Sequence, residues 1–147
     1  MNIWSVKIFG IAALAFMLCL SLLIMSGTAF AERCMDNGDG TVTDNGTGLM
    51  WQKATAGQMN WDQAMSYASS LSLSGHSGWR LPNKDELQGL YNSPCKDLMD
   101  VLNDWYWSST TYASSTNRAW RVFFVYGYVN YPYKSYSYYV RAVRAAQ

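Results

Sequence analysis

Oxygen-bearing side chains crowd one early stretch. Asp36, Asn37, Asp39 and Asp44 stand among Gly38, Gly40 and Gly46. Carboxylates spaced by glycines are what a calcium loop uses. The EF-hand arrangement places oxygens at alternate positions and a Glu at the twelfth. Counted from Asp36, the third position here is Gly38 and the twelfth is Thr47, so the pattern breaks and no metal is expected. The sole histidine, His76, lies in Ser74-Gly75-His76-Ser77-Gly78, the setting of a solvated turn residue rather than a base. Asp85 and Glu86 are adjacent, and a helix start explains both through capping and the helix dipole. Arg80 precedes them closely enough to pair with Glu86. No Gly-x-Ser-x-Gly and no His-Glu-x-x-His occurs. A nucleophile with its base, or a metal set, is therefore missing. Neither an enzyme nor a cofactor is expected.

Cys34 and Cys95 could also do chemistry. In an exported chain such a pair is most simply a disulfide. The alternative, a metal or redox pair, lacks a C-x-x-C motif and has too few histidines for a zinc set.

The chemistry best represented is that of recognition. Between positions 126 and 139, seven of fourteen residues are tyrosine, and most others are Asn, Ser, Gly, Pro or Lys. Tyrosine offers a large contact area with few torsions to freeze, and Ser, Gly and Asn adapt around it, which is the mixture binding loops favour. A Tyr-rich sheet face with phenols packed across strands is the opposing reading. Gly127 and Pro132 interrupt strict alternation, which favours a binding surface. The expected ligand-binding residues are Tyr126, Tyr128, Asn130, Tyr131, Tyr133, Ser135, Tyr136, Ser137 and Tyr138, joined by Tyr112 and Ser114 to Asn117. Protein and glycan ligands would use the same phenols, so the partner is an unknown protein or glycan.

These residues need a scaffold. Met1 to Lys7 is a short head with one positive charge, Ile8 to Met25 is almost wholly apolar, and Ala29-Phe30-Ala31 precedes Glu32. That is the form of a secretory signal peptide cut after Ala31; an uncleaved anchor is the rival, since the apolar run is long enough to span a bilayer. Cys34 stands too far past Ala31 for a lipoprotein signal. The membrane is then touched only through this segment before cleavage, and the chain is expected in the periplasm, at the cell surface or secreted. Residues 32–147 form one domain, large enough for one core. Of 11 Lys and Arg, Lys7 goes with the signal, leaving 10 against 10 acidic residues. Phosphate-backbone binding needs a basic surplus, so no nucleic-acid partner is expected.

Thr41-Val42-Thr43 and Leu49-Met50-Trp51 read as a hairpin. Trp61, Ala64, Met65, Ala68 and Leu71 repeat at helical spacing, predicting a helix over 60–73 with Asn60 as N-cap and Gln63 completing a capping box. A second helix follows Asn83 and stops near Tyr91, ahead of Pro94. Strands are predicted over 105–109, 118–126 and 138–145, forming an antiparallel sheet. The layout is α+β, two helices packed on a small twisted antiparallel sheet.

Four pieces then stand in order: Asp36 to Asp44 with Gly48-Leu49-Met50-Trp51; Trp79-Arg80-Leu81-Pro82 with Glu86-Leu87; Tyr106-Trp107-Ser108-Ser109-Thr110; and Tyr139-Val140-Arg141-Ala142-Val143-Arg144. Together they resemble the Lcl C-terminal domain family, also known as domain of unknown function 1566, over nearly all of the exported part. The resemblance implies a C-type-lectin-like fold in an exported bacterial protein. Trp51, Trp79, Arg80, Glu86 and Trp107 are then expected as structural residues. The family takes its name from a collagen-like surface adhesin; this chain has no collagen repeat. The calcium motifs of sugar-binding lectins do not occur. Formylglycine-generating enzymes share the fold, but they need a cysteine pair near the C-terminus, where this chain has none. A second resemblance is to the variable proteins of diversity-generating retroelements. These mutate template adenines near the 3′ end of genes for C-type-lectin-like proteins. Tyr, Ser and Pro are all reachable from an AAY codon for Asn, and Tyr126 to Tyr138 holds these residues with Val129, Lys134, Val140 and Arg141 as framework.

Overall fold

A computed structural model describes residues 32–147. The signal-peptide reading of residues 1–31 lies outside the described residues. The described part is one compact unit, Glu32–Gln147. It opens with strands β1 (Cys34–Asp36), β2 (Thr41–Asp44), β3 (Leu49–Gln52) and β4 (Ala56–Met59), followed by helices α1 (Trp61–Ser70) and α2 (Lys84–Tyr91) and a 3-10 turn at Pro94–Leu98. The second half is β5 (Trp105–Thr111), β6 (Ala119–Phe123), β7 (Val129–Asn130), β8 (Tyr138–Val140) and β9 (Val143–Ala145). Two small sheets result, ordered β1-β2-β3-β9 and β4-β8-β5-β6-β7. The fold is α+β.

The acidic loop builds the first hairpin. One Asp36 carboxylate oxygen accepts from the Gly38 amide, and one from Asp39 accepts from both the amide and the hydroxyl of Thr41. Asn37 donates to the hydroxyls of Thr41 and Thr43. Both helices begin with a reciprocal capping box, Asn60 with Gln63 and Asn83 with Glu86, which satisfies otherwise orphaned amides.

Tyr106 and Trp107 are adjacent on β5 and so project to opposite faces. On one face Leu87 and Leu90 of α2 meet Tyr106, Val122 and Phe124, together with Val42, Trp51 and the Cys34–Cys95 disulfide. On the other, Ala64 and Ala68 of α1 meet Trp107, Ala119, Val140, Trp79 and Leu81. Indole N–H groups tie the layers: Trp61 donates to the Ser108 carbonyl, Trp107 to Met59 and Trp79 to His76.

The structure corrects four expectations. The predicted strand over 138–145 is broken at Arg141 and Ala142, and its halves β8 and β9 belong to different sheets. The cause is Arg141, fully buried, whose guanidinium donates to the carbonyls of Gln52, Lys53 and Asp100 and to the Thr55 hydroxyl. Ala142 is held at the same place, its amide donating to the Gln52 side chain and its carbonyl accepting from the Gln52 amide. Second, the larger sheet is mixed, because β8 runs parallel to β5. The chain leaves β6 through β7 at the sheet edge and returns on the far side of β5, a crossover that a hairpin cannot make. Third, the strand predicted over 118–126 ends at Phe123. Gly127, at φ 71°, turns the chain there, its amide donating to the Phe123 carbonyl. The first helix also ends earlier than expected, at Ser70, where Leu71 leaves the helical region with ψ 131°.

Candidate binding surface

The tyrosine-rich stretch wraps the β6–β7 edge, and the ladder register sorts its side chains. Arg121 stands opposite Asn130 and Val122 opposite Val129. Residues paired in this way share a face, and neighbours along a strand alternate. Tyr128 and Asn130 therefore lie with Phe123 and Arg121 on the α1 side. Val129 and Tyr131 lie with Val122 and Trp120 on the α2 side. The nine predicted residues do not form one platform.

Three aromatic groups arise. On the α1 side, Trp105 stacks on Phe123 with centroids 4.9 Å apart, and Phe123 leads to Tyr126 and then Tyr128. On the α2 side, Tyr131 stacks on Tyr112 at 4.0 Å with planes 8° apart, and both meet Trp120 edge-on. At the far end, Tyr133 meets the edge of Tyr136. Tyr126, Tyr128, Tyr131, Tyr133 and Tyr136 are exposed, as are Asn130, Ser135 and Ser137. Tyr138 differs. It is half-buried, and its ring packs edge-on against Trp107, so it serves the core on one side and the surface on the other. Of the polar loop, Ser114, Thr116 and Asn117 are exposed and Ser115 is half-buried.

Each group carries a cation over a ring: Lys84 5.2 Å from the Trp120 centroid, Arg118 3.9 Å from Tyr133, and Arg121 3.9 Å from Trp105 and 4.0 Å from Tyr138. Lys134 lies 3.7 Å from the Trp61 ring and donates to the Thr111 hydroxyl at 3.0 Å. Its backbone bonds both Asn117 and Trp61, which fixes the loop between Tyr133 and Tyr138. From Trp105 to Gln147 the chain has five basic residues and no Asp or Glu.

Residue spacing alone did not single out Trp120, Arg118, Arg121 or the Tyr91–Gly127 contact, and it read Pro132 only as a break in alternation. Pro132 is buried although its neighbours are exposed, and its carbonyl accepts from the Ala119 amide. The position is a pin rather than a contact. Tyr91 sits so close to Gly127 that an added Cβ would come within 2.5 Å of its ring. The sequence signal for Trp120 and Arg121 was their place beside Ala119 and Val122 in a predicted strand, but register was needed to aim them. Val129, expected as framework, is exposed, and its contribution is its backbone pairing with Val122.

The residues expected to be structural are placed as follows. Trp51, Trp79 and Trp107 are buried. The Arg80 fork meets Glu86 through two bonds of 2.8 and 2.7 Å. That pairing holds the Glu86 carboxyl below its ordinary value and raises Arg80, both principally through their mutual hydrogen bonds. Burial, the larger influence, pushes the Arg121 and Arg141 guanidiniums below the ordinary arginine value. Cys34, Cys95 and Asp44 come together within 4.8 Å, but the two sulfurs are bonded to each other and cannot act as thiolate ligands.

The family model of the Lcl C-terminal domain matches residues 40–144, more than half of the chain. No curated protein matches it.

Proposed function

This chain belongs to the Lcl C-terminal domain family, and we propose that it is an exported, adhesin-like ligand-binding protein whose Tyr/Ser/Asn-rich β6–β7 edge is the binding face. One observation carries this reading. Tyr126 and Tyr128 are each 65% exposed, Tyr136 53%, Tyr133 41% and Tyr131 38%, whereas Trp51, Trp107 and Tyr106 are at most 1% exposed. The chain keeps one set of large aromatics for its core and presents another to solvent. Exposed aromatic clusters mark interaction sites, and aromatic anchors dominate binding hot spots. The scaffold in this proposal is C-type-lectin-like, in keeping with two helices, two small sheets and terminal strands that share a sheet. No catalytic role is proposed: the carboxylates of Asp36, Asp39 and Glu86 are engaged in turn, cap and ion-pair bonds. A corollary is that the exposed Tyr, Ser and Asn positions are diversified at the gene level.

Two experiments test the reading. Tyr126, Tyr128, Tyr133 and Tyr136 are changed together to Ser, and melting temperature is followed beside binding to a glycan array and to a displayed library of protein ligands. The melting temperature should stay nearly constant while every ligand captured by the parent is lost. Unfolding of the variant would make these phenols structural and sink the proposal, as would binding that survives. For diversification, the flanking DNA should hold a near-copy of the coding sequence for about residues 110–144, differing almost only at adenines, beside a reverse transcriptase gene. A complete genome without it leaves a fixed-specificity glycan-binding or structural envelope protein.

A further inference from the structure

The α1-side aromatic group has a cation at its centre with no partner of its own. The Arg121 guanidinium lies over the rings of both Trp105 and Tyr138, 3.9 and 4.0 Å from their centroids. Among the described residues it forms no ion pair, and its Nε is buried without a hydrogen-bond acceptor. The other arginines of the C-terminal half are committed. Arg118 donates to the Tyr131 carbonyl, Arg141 to four acceptors, and Arg144 to the carbonyls of Ala145 and Ser77. The nearest carboxylate influence on Arg121 is Asp104, whose own Oδ1 accepts from the Trp105 amide at 2.6 Å.

A guanidinium laid over two rings uses its planar surface on them. The terminal N–H donors on the edge away from the buried Nε remain for recognition, and their rigid fork matches a carboxylate bidentately. The rings also immobilise the side chain, which lowers the ordering cost of binding. Asn130 stands directly across the ladder from Arg121 and extends the same face toward the sheet edge. Trp105, Phe123, Tyr126 and Tyr128 extend an apolar surface away from it.

We propose that Arg121 is the anchor of the binding face and takes a single carboxylate, an Asp or Glu side chain of a partner protein, whose apolar neighbour rests on Phe123, Tyr126 and Tyr128. A single carboxylate is favoured over a polyanion because the other four cations of residues 105–147 are engaged, Arg118, Arg141 and Arg144 with carbonyls and Lys134 with the Thr111 hydroxyl, which leaves Arg121 alone to meet an anion. A protein is favoured because the carboxylate must come with an apolar neighbour to cover Phe123, Tyr126 and Tyr128, and an Asp or Glu beside an apolar side chain supplies both. The inference rests on the reading of this edge as the binding face.

The test is an NMR titration of the purified protein with phenylacetate, following the Arg121 Nε–H and Trp105 indole N–H signals. Phenethylamine, sodium sulfate and glucuronate run in parallel. Phenylacetate should shift both signals saturably, and phenethylamine should not. Arg121→Gln, with its amide spectrum otherwise preserved, should bind phenylacetate about tenfold more weakly, the loss of a bidentate charge-assisted pair. Arg121→Lys, which keeps the charge without the fork, should also bind more weakly and serves where the Gln variant fails to fold. Equal shifts with sulfate, shifts with glucuronate alone, undiminished binding in both variants, or silence throughout would each overturn the proposal. Silence here beside ligand loss in the tyrosine variant removes the carboxylate and leaves the face. Failure of both experiments removes the face as well.

Discussion

Individual residues decide whether this surface exists in one shape. Gly127 has a positive φ of 71°, and an added Cβ would meet the Tyr91 ring at 2.5 Å. Gly127→Ala should therefore cost roughly 2–3 kcal/mol from overpacking and left-handed backbone strain together. Gly57→Ala, where nothing lies within 4 Å of the new atom, should be close to neutral; urea unfolding of both variants checks the contrast. Arg141 is a cation kept inside with no carboxylate paired to it among the described residues. Its charge is spread over three carbonyls and a hydroxyl, and these contacts hold the end of β3, the residue before β4 and the segment ahead of β5 around the break between β8 and β9. Arg141→Met strands those acceptors in the interior, and a loss of about 3 kcal/mol is expected by the same measurement. The chain neighbours of Gly127 and Arg141 gave no hint of either contact, because each partner is more than thirty residues away.

At the scale of elements, local rules were legible. Asn60 caps its helix with the Gln63 partner expected from the spacing, and Asn83 forms the same reciprocal box with Glu86, since a capping box is closed within four residues and needs no tertiary help. Strand ends were not legible, because they depend on which sheet receives the strand. The cap at α2 also makes a pH prediction. Glu86 has its pKa lowered from 4.5, first by its bond to Arg80 and further by the Asn83 amide. A depressed carboxyl stabilises the fold above its unfolded pKa, and that contribution fades as pH falls through about 4.5 and below. Thermal melts of the parent should fall over this window more steeply than those of Glu86→Gln, which starts lower and lacks this titration. Parallel curves would remove Glu86 from the acid response.

For the molecule as a whole, the disulfide is the long-range tie. Cys34 and Cys95 are 61 residues apart and join β1 to the 3-10 turn below α2. A loop of that length corresponds to about 4 kcal/mol in the chain-entropy model. Replacing both cysteines with Ala should lower unfolding free energy by that order while leaving the exposed tyrosine edge able to bind, since Trp105, Phe123 and Arg121 lie on the α1 side of the sheet and the disulfide packs on the α2 side. Loss of binding at temperatures where the variant remains folded would tie the face to the disulfide end instead.

The chain by its residues alone determined the α+β class, the capped helices, the first hairpin, the family resemblance and the stretch rich in exposed phenols. The resemblance rests on four short motifs in order; the others follow from local propensity, apolar period or composition, quantities summed over neighbours in sequence. Tertiary structure decided the rest: that one predicted strand serves two sheets, that β8 runs parallel to β5, and that Tyr128 and Tyr131 look to opposite sides of the same edge. A single step along a strand reverses a side chain's face. The sides are therefore set by register, and register is set by distant pairings such as Arg121 with Asn130.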